Sequence, residues 1–362
     1  MLKYRGMKTE VALTRTAVAQ RVKEQLHEYC LDKIELAEDI GKGYVTLWQE
    51  IDAYLAAGGK RIRPYLVSLA FEAYGGDDAQ SVLPVACAWE LLHAALLIHD
   101  DIIDRDTVRH GVPNIAGAYQ ARYSELTEVD ATHFAMSAAL LAGDLLLSAS
   151  QEIVNSSALA DSDKLRIQSY LQRAIYAVGG GEFLDFESSL YPIKQNDPLS
   201  IALHKTASYS FQLPLVSGAS LAKAPRSELK KLEAIGLETG IAFQLMDDLL
   251  GVFGDQATTG KSNRTDIFEK KRTLLVEYAS QQLGSEQANQ LEMLFDNNRT
   301  MSAPEAEEVI SLLQASGVQA YVQEQIAQRA QRAINIIETL QVGSEYKQAL
   351  TALVNKATQR DA

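Results

Sequence analysis

Two groups of aspartates, Asp100-Asp101-Ile102-Ile103-Asp104 and Asp247-Asp248, lie far apart in the chain, each embedded in an apolar stretch. An ionised carboxylate among Leu and Ile is costly unless a cation or hydrogen bonds compensate, so the two groups predict facing walls of a metal-filled cleft. Magnesium, a hard ion that takes oxygen ligands and leaves room for phosphates, suits such walls. Asp100 and Asp104 are four residues apart, which on a helix puts both on one face about one turn apart. Without a cation they would repel each other. The same spacing also describes a solvated helix end, but the apolar run Ala94 to Ile98 argues against that reading. Gln244, three residues before Asp247 within Ile241-Ala242-Phe243-Gln244-Leu245-Met246, sets an amide dipole on the face of the second group.

Basic residues fall in short clusters: Lys60-Arg61-Ile62-Arg63, Arg109-His110-Gly111, Lys205-Thr206, and Lys261 with Lys270-Lys271-Arg272. Any one of them alone would read as solvated surface charge. Gly58-Gly59 ahead of Lys60 is more telling, because a flexible turn exposing backbone N–H groups beside Lys and Arg makes an anion cradle. Phosphates together with magnesium is the joint reading. Gly254-Asp255-Gln256-Ala257-Thr258-Thr259-Gly260-Lys261-Ser262 resembles a nucleotide P-loop but has one residue too many and follows no buried strand.

The elements that must position these groups read as helices. Apolar residues recur at three- and four-residue spacing, and alternating strand patterns with Asn-Gly turns are absent, which predicts an all-α chain. The aspartate groups fall on helices expected at about 80 to 104 and about 227 to 253, both apolar around much of their circumference and therefore central. Pro64, Pro84 and Pro198 are expected at helix starts. Further helices are expected over about 11 to 57 (one or two), 64 to 74, 129 to 154, 163 to 188, 198 to 221 and 270 to 283, then 285 to 296, 304 to 315 and 317 to 340. With 362 residues, 47% hydrophobic content and no linker-like break, a single domain is expected, with roughly the first ten residues flexible. A net charge of −13 argues against nucleic acid as a partner. Two cysteines, Cys30 and Cys87, are too few for a disulfide framework. The N-terminus lacks a signal-peptide core, and Glu90, His93 and Asp144 interrupt the long apolar runs, so a cytoplasmic chain without a transmembrane segment is expected.

The motifs, taken in order, resemble those of the trans-isoprenyl diphosphate synthases, the polyprenyl synthetase family, and among them most a geranylgeranyl diphosphate synthase. The residues are Gly59-Lys60-Arg61-Ile62-Arg63-Pro64, Glu90-Leu91-Leu92-His93, and Leu97-Ile98-His99 running into the first aspartates. After them come Arg109-His110-Gly111-Val112-Pro113, Lys205-Thr206, Phe243-Gln244-Leu245-Met246-Asp247-Asp248, and Gly260-Lys261 followed by Asp266 and Lys271-Arg272-Thr273. The resemblance implies a large helical bundle of the isoprenoid synthase type with a central substrate cavity, working as a homodimer. It implies that Asp100, Asp104 and Asp247 ligate magnesium, three ions with diphosphate bound, and that Asp101 and Asp248 orient metal-bound water. Arg109, Lys205, Lys261 and Lys271 would neutralise an allylic diphosphate. Lys60, Arg63, His93 and, less directly, His110 would hold isopentenyl diphosphate, and Thr206 and Gln244 would face the developing allylic cation.

The chain departs from the family pattern at two positions. His110 stands where a second arginine is usual, and Gly251 stands where a third aspartate is expected four residues after Asp247, with Asp255 a candidate to compensate. The product tail is expected to run down the helix away from Asp100, past Leu96 and Ala95. Neither is aromatic, so a deeper tunnel and a twenty-carbon product are expected, with Trp89 as a possible floor or as plain core packing. A longer-chain synthase shares every motif. A terpene cyclase would carry a different second metal motif, and a regulatory subunit of a heteromeric prenyltransferase would be free to lose the metal ligands that this chain retains.

Overall fold

The structure, a computed structural model, describes residues 14–109, 111–254, 265–296 and 300–359. The N-terminal residues expected to be flexible lie outside these. Ala, Leu, Gln, Glu and Lys fill the chain and favour helix, and the described residues form an all-α fold with a single two-stranded hairpin. They divide into two compact units, one drawn from 14–171 with Ser217–Ala224, the other from Gln172–Val216 with the described residues of 225–359.

The first unit contains α1 (Arg15–Glu38), α2 (Lys42–Ala56), α3 (Ile62–Ala73), α4 (Ala79–Ile103), α5 (Ile115–Arg122) and α6 (Glu128–Asn155). The stretch expected as one or two helices is two, broken at Gly41, whose φ of 146° favours glycine. Asp78 starts α4 by accepting from the Gln80 N–H, so Pro84 sits inside that helix rather than at its start. Pro198, in contrast, occupies a first helical turn as expected. On α6 the small residues Ala131, Ala135, Ala139 and Ala142 recur on one buried face, which lets α4 pack closely against it. Contact is tightest at Gly143, where an added Cβ would lie 2.1 Å from His99 Nε2. By length and hydropathy α4 and α6 would each suffice to cross a membrane; the most apolar window of α4 is 72% buried within the protein, as in the core helix of a globular unit.

The second unit holds the part of α7 (Asp161–Ser188) from Gln172 onward, α8 (Pro198–Ile201), a π-helix over Ala202–Gln212, and the start of α9 (Leu213–Leu221). Its central helix is α10 (Arg226–Phe253), followed by α11 (Thr265–Phe268), α12 (Leu274–Gln282), α13 (Ser285–Leu294), α14 (Ala303–Ala315), α15 (Val318–Glu338) and α16 (Ser344–Thr358). Leu245, Leu249 and Val252 of α10 share a core with Leu275, Leu291, Phe295, Val309 and Val322. The helix expected over about 198 to 221 is continuous, but its middle is wound more widely. Leu213 N–H reaches back five residues to Ser208 O, and Pro214 has no N–H to restore the tighter register. Neighbouring glycines leave room for this backbone: a Cβ at Gly181 would lie 2.3 Å from Lys205 N, and one at Gly240 would lie 2.5 Å from Ala207 Cα.

Candidate active site

The first aspartates occupy the last turn of α4, where Asp104 N–H donates to Asp100 O at 2.8 Å and holds the two carboxylates one turn apart. This is the negative end of the helix, and α4 has no basic residue in its last turn, so the position adds to the cost of placing carboxylates there. Compensation comes from a hairpin. Val108–Arg109 pairs antiparallel with Val112–Pro113 and returns Arg109 to the helix end. Its Nε donates to Asp101 Oδ1 at 2.8 Å and its Nη2 to Asp100 Oδ2 at 3.2 Å. Asn114 secures the hairpin base by donating to Asp106 O at 2.8 Å and capping α5. Asp101 is buried, and desolvation raises its carboxyl above the usual range while Arg109 opposes the shift. Its Oδ2 is buried with no hydrogen-bond partner.

The glycine-basic segment leads into α3 on the same unit. Gly58 and Gly59 have φ of 110° and 141°, which delivers an exposed Lys60 whose carbonyl accepts from Arg15 at 2.7 and 2.9 Å. Arg61, in the left-handed region, turns inward and is buried against Glu90 of α4 and the Leu55 carbonyl. Lys60 and Arg63 were expected to bind a ligand; Arg61 ties their loop to the helix that carries His93 and the aspartates. Ala95 is buried and Leu96 half-buried on α4. Trp89 is fully buried, its Nε1 donating to Ser217 Oγ at 3.1 Å.

In the second unit, Thr206 Oγ1 donates to Gln244 Oε1 at 2.6 Å, and Gln244 Nε2 donates to Asp248 Oδ1 at 2.8 Å. Gln244 is thus oriented by a hydroxyl on one side and a carboxylate on the other. Lys205, beside Thr206 on the π-helix, lies 2.9 Å from Glu182 Oε2 and 2.7 Å from Asp185 Oδ2, both on α7. Asp247 is exposed on α10. Burial pushes the Asp248 carboxyl up to about 8; the charges of Asp266, Asp247 and Asp185 add to that shift and the Gln244 amide opposes it. Lys271 Nζ pairs with Glu269 at 2.8 Å and lies 3.6 Å from Asp266 Oδ1. His110, Lys261 and Asp255 lie outside the described residues.

The acidic donors are all carboxylate oxygens, the set a hard divalent cation takes. Among the described residues no three acidic, His or Cys side chains are grouped so as to hold a metal ion by themselves. The orphaned Asp101 oxygen and the crowded, proton-holding Asp248 both stand to gain from a nearby cation.

Sequence reasoning missed the hairpin, Arg61, Glu182 and Asp185. Gly179-Gly180-Gly181 ahead of two acids three residues apart, Glu182 and Asp185, is their visible mark in the sequence.

The described residues define an all-α protein with aspartates on two apolar helices and basic side chains paired with acids beside them. The sequence pattern of the polyprenyl synthetase family matches residues 45–313, and the chain belongs to that family. It is 32% identical over 296 residues to a geranylgeranyl diphosphate synthase of Mycobacterium tuberculosis, covering 81% of this chain and 79% of the relative. It is also 32% identical over 311 residues to a (2E,6E)-farnesyl diphosphate synthase of Mycobacterium bovis, covering 84% and 80%. Among solved structures, the geranylgeranyl pyrophosphate synthase of Corynebacterium glutamicum complexed with isoprenyl diphosphate and magnesium is similar at a TM-score of 0.84 and 30% identity, covering 95% of this chain and 99% of that one.

Proposed function

We propose that this chain is a prenyltransferase that condenses isopentenyl diphosphate with an allylic diphosphate to give a linear all-trans prenyl diphosphate, geranylgeranyl diphosphate (C20) being the product. The observation that carries the reading is the last turn of α4, where Asp100 and Asp104 lie one turn apart with Arg109 seated on Asp100 and Asp101.

Asp100, Asp104 and Asp247 would hold magnesium, three ions in the diphosphate complex, with Asp101 and Asp248 orienting bound water. When bound, magnesium neutralises the diphosphate and helps it leave. Arg109, Lys205 and Lys271 add fixed positive charge where the leaving group gains negative charge, the preorganised arrangement that lowers such barriers most. Lys261 joins them by family resemblance. The acids flanking Lys205 hold its ammonium in place until a diphosphate competes for it. Thr206 donates its hydroxyl hydrogen bond to Gln244 and so keeps its oxygen lone pairs for the allylic cation left by C–O cleavage. Lys60, Arg63 and His93 hold isopentenyl diphosphate, whose double bond attacks that cation before a proton passes to the released diphosphate, with His110 a weaker contributor than an arginine.

Relatives named for fifteen- and twenty-carbon products are equally similar, so product length rests on the residues along α4. Ala95 and Leu96 present no ring below Asp100, which favours the longer product, with Trp89 the next bulky group. Exposed Val129, Phe134, Leu140 and Leu141 on α6 support a homodimer through that face. Two buried free thiols, with Cys30 pushed up to about 12 by burial, agree with a reducing, cytoplasmic setting. The chain is proposed to work as one all-α domain.

The test is incubation of the purified protein with magnesium, isopentenyl diphosphate and dimethylallyl, geranyl or farnesyl diphosphate, followed by chromatographic sizing. A C20 diphosphate is expected. A longer product would move the assignment to a longer-chain synthase, and a folded protein that makes no product would favour a regulatory subunit.

A further inference from the structure

Tyr54 lies in the last turn of α2, at helical spacing from the buried Leu47 and Ile51, so its ring points into the first unit. Its hydroxyl is buried and has no hydrogen-bond partner. The charged groups about it are Asp101, Arg109, Asp100 and Glu90, all in the same unit. A buried hydroxyl left unpaired costs the fold free energy, and a phenylalanine of the same shape would avoid that cost.

Asp101 carries the matching defect. Its Oδ1 accepts from Arg109 Nε at 2.8 Å, while its Oδ2 is buried with no partner. A donor and an acceptor, both cut off from water, thus stand near one another at the end of α4. The Asn114 amide lies near Asp101 too, but it already donates to Asp106 O at 2.8 Å. Burial raises the Tyr54 phenol above its usual range, the carboxylates of Asp101, Asp100 and Glu90 add to that and Arg109 opposes it, so Tyr54 remains a neutral O–H donor. Arg61 fixes the end of α2 against α4 by donating to both the Leu55 carbonyl and Glu90.

Arg109 cannot give the same N–H groups to Asp101 and to a diphosphate. When it turns to the phosphate, Asp101, only 2% exposed, loses the cation that offsets its burial. We infer that Tyr54 is a positioning residue for diphosphate binding, its hydroxyl donating to Asp101 Oδ2 when Arg109 leaves that carboxylate for the ligand. The inference rests on the diphosphate reading of Arg109 above. With Oδ2 held by Tyr54, Oδ1 is left for bound water, the role proposed for Asp101.

The test is Tyr54→Phe, which removes one oxygen and keeps the ring. Three readouts are taken: thermal unfolding without ligand, calorimetric titration of inorganic diphosphate with magnesium present, and the Cζ resonance of Tyr54 in tyrosine-labelled protein. That resonance is identified among those of the 15 tyrosines by its loss in the variant. Because the hydroxyl has no partner in the free protein, the ligand-free variant is expected to melt no lower than wild type. Diphosphate is expected to bind it about 10-fold more weakly, the scale of one hydrogen bond to a charged group. The wild-type Cζ signal is expected to move downfield when diphosphate and magnesium are added, as the phenol begins to donate to a carboxylate. A purely structural role would instead lower the melting temperature and leave Cζ unmoved by ligand. Diphosphate binding within about twofold of wild type, a Cζ signal that ignores the ligand, or a variant that melts lower or fails to fold would overturn the inference. If wild type itself binds no diphosphate, the reading of Arg109 fails and takes this inference with it.

Discussion

The two aspartate groups solve the same electrostatic problem in different ways. At the end of α4 the carboxylates have an internal cation: the hairpin folds Arg109 back onto Asp100 and Asp101. On α10 the immediate neighbours of Asp248 are an amide and other acids, and its carboxyl holds its proton well above the usual range. The first group has a countercharge built into the fold, whereas Asp248 in the second holds its proton.

The most severe way to break this contrast is Asp100→Ala, which removes a ligand from the ready-made group. Turnover at saturating magnesium should fall about 10²–10³-fold, the cost seen when a transition-state charge stabiliser is deleted. Steady-state kinetics at several magnesium concentrations would show whether added metal rescues it; rescue is not expected.

Gly181→Ala disturbs the second unit without touching a charged group. Its Cβ would lie 2.3 Å from Lys205 N and push the π-helix, so a roughly 10–100-fold loss of kcat is expected. Circular dichroism should show the helical content retained.

Asp248→Asn sharpens the contrast through pH. The folded carboxyl titrates near 8 against an ordinary 3.8, so the metal-free fold holds a proton that the unfolded chain releases. Between those values the stability contributed by this group falls as pH rises. Asparagine mimics the protonated acid, so in chelator the variant's melting temperature should exceed wild type by a few degrees. The gap should grow from about pH 5 to about pH 8 and level off above, as followed by calorimetry. A gap that does not depend on pH would show that Asp248 is ionised in the metal-free protein.

The smallest effect on rate is expected from Ala95→Phe. A ring on the buried face of α4 should shorten the product while kcat stays within about threefold, read by chromatography.

Most of this architecture was legible because helices announce themselves through apolar spacing and caps. α4 and α10 begin and end within a residue or so of their expected bounds, and the aspartates sit on them as their spacing implied. The hairpin was illegible because two-residue strands carry no period, yet it is what seats Arg109. The π-helix escaped for a similar reason. Over eleven residues its winding differs too little from an α-helix to change the apolar pattern, and its clearest correlates, Gly181 and Gly240, are distant in sequence. α16 was missed although Tyr346, Leu350 and Val354 mark a buried face at helical spacing.

The central claim is that the aspartate groups serve metal-assisted transfer of a prenyl group to isopentenyl diphosphate. Incorporation of labelled isopentenyl diphosphate into extractable prenyl product, with farnesyl diphosphate as the allylic prenyl donor, tests it most directly when run in chelator and again with magnesium restored. The account predicts no incorporation in chelator and full recovery with magnesium, and undiminished incorporation in chelator would contradict it.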